Sequence, residues 1–365
     1  MDAAAQSAQL AAYLALLAAD DDEFDIGAPG GTLAAATSAS DMDVPTNPRP
    51  EISGIRITKE WLHSLESREC LYRFRFYAEE LIDLARALRI PDPFKTSHGS
   101  VYTRLEALCL LLARFKSAGD LYDLTISYDR SQAAISMVVN ELSVYLDERW
   151  QHLLDFDSDG ILAPARLQEY AKAIHNAGAP VPSIWGFLDC TIRPIGRPSQ
   201  FQRAVYNGYK KVHSLKFQAV KLPNGHVGHL YGPMEGRRND NALLAESQLL
   251  QKEQRFFQLF GDPAYGLSAL LLSPFSNTGQ RTQAEEEWNA EMSAVRIEVE
   301  HGFGDVVRHW PFLNAWWKHR LYASPIGRYY RVGILLTNAL NCLRPNQTAQ
   351  FFNCEPPVLE EYFHT

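Results

Sequence analysis

The sequence predicts a mixed α/β sheet flanked by helices, preceded by an all-helical region with a helix-turn-helix-like unit. Three observations predict this. Between about residues 58 and 176 apolar residues recur at three- and four-residue steps. From about residue 183 the period changes to that of strands. Within that second region Pro223-Asn224-Gly225 joins two strand-like runs, and Asn-Gly at such a junction is a strong hairpin signal.

Taken in order, residues 1–52 are rich in Ala, Asp, Gly, Ser, Thr and Pro without sustained periodicity, a disordered tail by composition. In "YTRLEALCLLLARFKSAGD" Leu105, Cys109, Leu112 and Phe115 share one helical face, and Gly119-Asp120 breaks the helix. After the short segment "LYDLTISY", Ser131 is placed to cap a helix presenting Ile135, Val138, Val139 and Leu142. Helix, turn and helix give the helix-turn-helix-like shape, although the second helix carries Glu141 and no Lys or Arg between Arg130 and Tyr145. The run Ile184 to Leu188 reads as a buried strand continuing through Asp189. A hairpin, a helix capped by Asn239 or Asp240, a strand ending at Gly261-Asp262-Pro263, a short strand in "ALLLSPF" and a helix from about Gln283 to Val307 complete the order. The expected division is 1–52 tail, 53–176 helical, 177–365 α/β.

Apolar content of 46% with 21% charged residues suits a soluble globular chain, and no apolar run reaches the roughly 18 residues of a membrane span. The net charge of −8 is concentrated at the start: residues 1–50 hold eight acids against Arg49. The rest is therefore close to neutral, which leaves room for a local basic groove. Five cysteines without C-x-x-C spacing indicate neither a disulfide framework nor a zinc site, and favour a reducing compartment. No G-x-G-x-x-G follows the first strand, so a dinucleotide-binding domain is not indicated.

The chemistry centres on acids. A carboxylate inside an apolar strand costs several kcal/mol unless a positive partner offsets it, which makes Asp189 either a hydrogen-bonded structural residue or a metal ligand. Asp262, at the end of the fourth strand, can share one space with it if the two strands are neighbours. A third acid on the last helix would complete an oxygen cage for Mg²⁺ or Mn²⁺. Helical spacing leaves Glu298 and Glu300 tied for that place, on opposite flanks of the stripe formed by Trp288, Met292, Val295, Val299, Phe303 and Val306.

"GFLDCTIRPIGRPSQFQRAVYNGYKKVHSLKFQAVKLPNGHVGHLYGPMEGRRND", "GDPAY" and "NAEMSAVRIEVEHGFG" occur in that order, followed by "LLTNALNCL" and "PPVLEEYF". Together they resemble the Harbinger-type transposase family of DDE endonucleases, over about residues 71–362. The resemblance implies an RNase H-like nuclease domain and a two-metal site for DNA cleavage with possible strand transfer. It maps the first acid to Asp189 (D-C-T), the second to Asp262 (G-D-x-x-Y) and the third to Glu300, three residues before Phe303-Gly304, leaving Glu298 outside the ligand set. Asp240 and Arg296 are expected to support the site from behind its ligands, with plain helix capping the rival role for Asp240. Where the family carries His-Asp after "GRR", this chain has Asn239-Asp240, which puts full activity in doubt because Asn exchanges no proton near neutral pH.

Arg193, Arg197, Arg203, Lys210, Lys211, Lys216, Arg237 and Arg238 gather near the acids in sequence, interleaved with Phe201, Tyr206 and Tyr209. Arg203, Lys210, Lys211, Arg237 and Arg238 are the expected DNA contacts. His213, His226 and His229 are expected at the surface or across strands, and Trp310, Trp316 and Trp317 in core or interdomain packing in preference to a base-stacking platform. The resemblance further implies DNA as partner, homo-oligomerisation, a separate DNA-binding partner protein and a nuclear location, although no basic cluster reads as a nuclear address. The rival expectations are a host-adopted protein that binds DNA or a partner without cutting, and a scaffold for protein contacts.

Overall fold

The computed structural model describes residues 54–252, 257–276, 279, 281–321 and 323–364; the side chains of residues 298–303 fall outside the described residues. The 1–52 tail lies outside them too. The helical region comprises α1 (Lys59–Ser64), α2 (Ser67–Phe74), α3 (Ala78–Ala87), the short pair β1 (Phe94–Lys95) and β2 (Val101–Tyr102), then α4 (Arg104–Lys116), α5 (Leu121–Ser127), α6 (Gln132–Trp150) and α7 (Pro164–Asn176). Several starts follow the side-chain capping rule. Thr103 accepts from Glu106 N at 3.1 Å, Asp120 from Tyr122 N at 3.3 Å, and Ser131 from Ala134 N at 3.2 Å. "LYDLTISY", read from sequence only as a short segment, is helix α5, capped by Asp120.

The second region follows as β3 (Ile184–Pro194), α8 (Gln202–Val205), β4 (Tyr206–Asn207), β5 (Val212–Lys221), β6 (Val227–Glu235), α9 (Asp240–Ser247), α10 (Leu249–Lys252), β7 (Gln258–Gly261), β8 (Leu271–Leu272), α11 (Gln283–His309), α12 (Ile326–Leu343), α13 (Gln347–Phe352) and α14 (Leu359–Tyr362). The main sheet runs β6-β5-β3-β7-β8, with β4 on the start of β5. The pairs β3/β5 and β5/β6 are antiparallel, whereas β3/β7 and β7/β8 are parallel. This is the expected mixed sheet, flanked by helices on both faces. One face of β3 and β7, carrying Phe187 and Phe260, meets Trp288 of α11 and Phe352 of α13. The other meets α9, where Gln218 Nε2 donates to Ser247 Oγ at 3.0 Å.

The two regions share one apolar core running from Ile57 to Phe363. Ile135, Val138, Val139 and Leu142 of α6 are all buried in it. The same helix is tied to α12 by Asp147, whose oxygens accept from Arg331 at 2.6 and 2.7 Å. Tyr329 bonds Asn140, and Glu141 accepts from Ser97. Of α6 only the ends are well exposed, and Gln132, Ala133 and Ser136 at its start carry no charge. A helix so enclosed is an interior element and not a free reading helix. Trp310 packs between the regions, against Phe76 and Phe115, with its indole N–H on Thr337 at 3.1 Å.

The hairpin forms at the expected residues, with Gly225 at φ +86°. Its turn is covered: Asn224 donates to the Tyr170 hydroxyl, and Asn346 and Asn341 donate to the carbonyls of Asn224 and Gly225. His226 and His229 are fully buried, so the surface half of the expectation fails for them, while His229 lies across strands opposite Val220 and His213 is partly open. Burial pushes His226 down to about 3 and His229 to about 4, so both are neutral.

Candidate active site

Parallel pairing of β3 with β7 places Leu188 opposite Gly261. Asp189 and Asp262 are each the next residue, so they leave neighbouring strands at the same level, about 5 Å apart by the strand spacing. In a parallel pair, residues in register point to the same face. Asp189 and Asp262 thus share the face of Phe187 and Phe260, the one α11 covers. Each is half-buried, and each has one oxygen fixed by a backbone N–H. Asp189 Oδ1 accepts from Cys190 N at 2.8 Å, and Asp262 Oδ1 accepts from Ala264 N at 2.7 Å, capping a 3₁₀ turn at Pro263–Tyr265.

Glu300 belongs to α11, which runs as one helix from Gln283 to His309 behind a Thr282–Glu285 capping box. Its side chain, with that of Glu298, lies outside the described residues. The helix packs by the expected stripe, since Met292, Val295 and Val306 are buried. Trp288 touches Phe260 on β7, and Asp305 lies near Lys221, which pairs with Phe187. The helix therefore crosses the sheet face between β7 and β5, over β3, and residue 300 lies within that crossing. Arg296 is half-buried one turn earlier, on the same side of the helix as residue 300.

The opposite face of β3 holds a second cluster directly behind Asp189. Cys190 Sγ lies 3.1 Å from the Tyr265 hydroxyl. Burial, with Asp240 adding to it, holds the Cys190 thiol well above its ordinary range, so it stays a protonated structural group. Lys216 forms an ion pair with Asp240 and donates to Arg238 O at 2.9 Å. The helix cap is Asn239, whose Oδ1 accepts from Ala242 N at 2.8 Å. The choice between the two capping candidates thus falls on Asn239, and Asp240 holds Lys216. Asn241 donates to Ala264 O at 2.6 Å and ties the start of α9 to the Asp262 turn. Sequence reading missed this tie, which joins a helix start to a turn 23 residues away and leaves no local signal.

The expected DNA contacts divide. Arg203, Lys210, Lys211 and Arg237 are exposed. Arg238 is held by Glu235 at 2.9 Å and Glu246 at 2.5 Å, which takes up its charge. Two other members of the basic set are interior: Arg193 is buried over the Tyr330 ring and Lys216 is buried in its pair with Asp240. Their strand positions face the two covered sides of the sheet, so alternation sends them inward. Trp316 and Trp317 correct the packing expectation, being 50% and 54% exposed.

Two adjacent half-buried carboxylates offer hard oxygen donors on one face, a donor set that fits Mg²⁺ or Mn²⁺. Among the described residues no group of three His, Cys, Asp or Glu forms a metal cluster, and no helix is long and apolar enough to cross a membrane. Searches of curated proteins and of solved structures found no match. One family model does match: residues 188–338, which take in Asp189, Asp262 and residue 300, match the model of the DDE superfamily endonucleases.

Proposed function

We propose that the protein is a metal-dependent DNA endonuclease of transposase type, of Harbinger-like ancestry, with Asp189, Asp262 and Glu300 as its metal-binding triad. The observation that carries the reading is the Leu188–Gly261 register, which makes neighbours of two acids that are 73 residues apart in sequence. The sheet order supports it as well: three antiparallel strands followed by two parallel ones is the RNase H-like arrangement. Bound divalent cations would supply water activation and charge neutralisation at the leaving 3′ oxygen. The chain's own part is to fix the ligands. Cys190 N and Ala264 N each hold one carboxylate oxygen in place. Apolar Phe187, Phe260 and Trp288 close the sheet face below the acids and keep water from that side. Asn241 steadies the Asp262 turn, and the Lys216–Asp240 pair anchors α9 behind it. DNA is the proposed substrate and a nuclear location the proposed setting, with oligomerisation and a separate DNA-binding protein as further parts of the same reading.

A plasmid-nicking assay tests this. Wild type should nick in Mg²⁺ or Mn²⁺ and not in EDTA. Asp189→Asn and Glu300→Gln should each lose on the order of 10³-fold, about 4 kcal/mol of barrier. Identical rates for wild type and Glu300→Gln would end the enzymatic reading. Asn239 stands where the resembled family has His and is occupied in capping α9. That observation favours a second reading, a protein that binds DNA without cutting, which predicts no nicking but intact DNA affinity.

A further inference from the structure

We infer that Trp316 and Trp317 form a stacking site for unpaired bases of a DNA strand, at the far end of β3 from the acids. The inference rests on the nuclease reading for the identity of the strand as DNA. The two indoles lie in a T-shaped pair with centroids 5.9 Å apart, on a segment that is otherwise well anchored. Gly196 N donates to His319 O at 2.9 Å, fixing this segment against the chain just beyond β3. A side chain at Gly196 would meet His319 O at 3.3 Å and Trp316 O at 3.6 Å, so the two stretches touch at backbone level. His319 and Phe312 are buried beneath, ring to ring at 5.0 Å. A rigid base with two large aromatics left in water is a costly arrangement for a surface without a ligand.

The charge around it identifies the ligand. Residues 194–213 contain Arg197, Arg203, Lys210 and Lys211 and no acid, and residues 311–331 likewise contain no acid. Arg197, Arg203, Lys210, Lys211 and Arg320 are exposed, and none of them has an ion-pair partner among the described residues. The β4–β5 pairing and the Arg237 N to Ala204 O bond hold this cationic stretch at the same end of the sheet. Tyr209, 88% exposed with the Lys210 ammonium 5.2 Å from its ring, adds a third aromatic surface. Flat aromatics with unpaired cations beside them fit a polyanion whose bases are free to stack, which is the chemistry of a single strand. From Asp189 to Gly196 the chain spans about 23 Å at ~3.3 Å per residue, or about seven nucleotides of stacked DNA. The site would hold a displaced strand while the acids engage a phosphate further along.

The test uses the full chain in EDTA, so that binding is read apart from cleavage, with an oligo(dT) 20-mer and a 20-base-pair duplex as probes. Trp316→Ala/Trp317→Ala should weaken oligo(dT) binding at least tenfold and duplex binding less than twofold, with loss of the tryptophan quenching that oligo(dT) should produce in wild type. Trp316→Phe/Trp317→Phe should restore affinity to within about threefold, because phenyl rings still stack. An unchanged urea midpoint in both variants excludes misfolding. Equal loss for both probes, or no loss, overturns the site. So does self-association at rising concentration that the Ala variant abolishes while oligo(dT) binding persists. The two readings fail separately: tryptophan-dependent binding without nicking in Mg²⁺ sinks the nuclease alone, and nicking with tryptophan-independent binding sinks the stacking site alone.

Discussion

The arginines of the α6–α12 junction and those of the 194–213 segment are chemically identical and do opposite things. At the junction Arg331 donates from Nε and Nη2 to the two oxygens of Asp147, Arg328 reaches Asp147 and Glu148, and in the helical region Arg130 grips Glu106 at 2.7 Å. Asp147 and Glu106 are themselves buried. In the 194–213 segment Arg203, Lys210 and Lys211 stand in water without a carboxylate partner among the described residues. A buried guanidinium must be matched at once by the chain that buries it, whereas an exposed cation stays available for a partner. Partner satisfaction, not sequence proximity to the acids, separates structural charge from solvent-facing charge here.

The largest effect should come from breaking a matched pair. Asp147→Ala leaves Arg331 without its carboxylate partner and Arg328 with Glu148 alone, and should cost about 3–5 kcal/mol in urea unfolding. A cost below about 1 kcal/mol would put the junction on a par with the surface.

The buried histidines give the next effect. His226, His229 and His319 are pushed down to about 3, 4 and 4, chiefly by burial. The unfolded chain takes up protons near pH 6.5 and the folded one does not. Stability should therefore be level above about pH 7 and fall as pH drops from 6.5 towards 4. Each histidine contributes up to about 1.4 kcal/mol per pH unit in that window. His229→Gln should flatten the acid limb of the urea-midpoint profile; an unaltered slope would mean that His229 is hydrated in solution.

The smallest effect on folding belongs to the exposed cations. Lys210→Ala/Lys211→Ala should move stability by less than about 0.5 kcal/mol. The same change should lower DNA affinity across sequences and reduce the slope of log K against log salt by about 2. If stability falls and the salt slope does not, these lysines belong with the junction set.

Much of this was legible in the sequence. The cap at Ser131, the Asn-Gly hairpin and the strand-to-turn passage at Asp262 are local signals, and local chemistry executes them. What the sequence could not yield was which side of the sheet would be covered, and by what. Alternation expects one open face, but α9 covers one face of the sheet and α11 and α12 the other, so Arg193, Lys216 and His229 go inside. Trp316 and Trp317 went the other way, since Pro311 and the 3₁₀ turns after it carry them out of the helix whose stripe Trp310 completes.

The sequence by itself determined most of the longer elements, their order and several of their ends, because capping, periodicity and turn chemistry act over a few residues. Tertiary structure alone decided that Asp189 and Asp262 are neighbours, that Asp240 serves Lys216 while Asn239 caps α9, and that two tryptophans face water. Those outcomes depend on strand register and on which helix lies over which face. Both are settled by contacts between residues far apart in the chain, where no local propensity reaches.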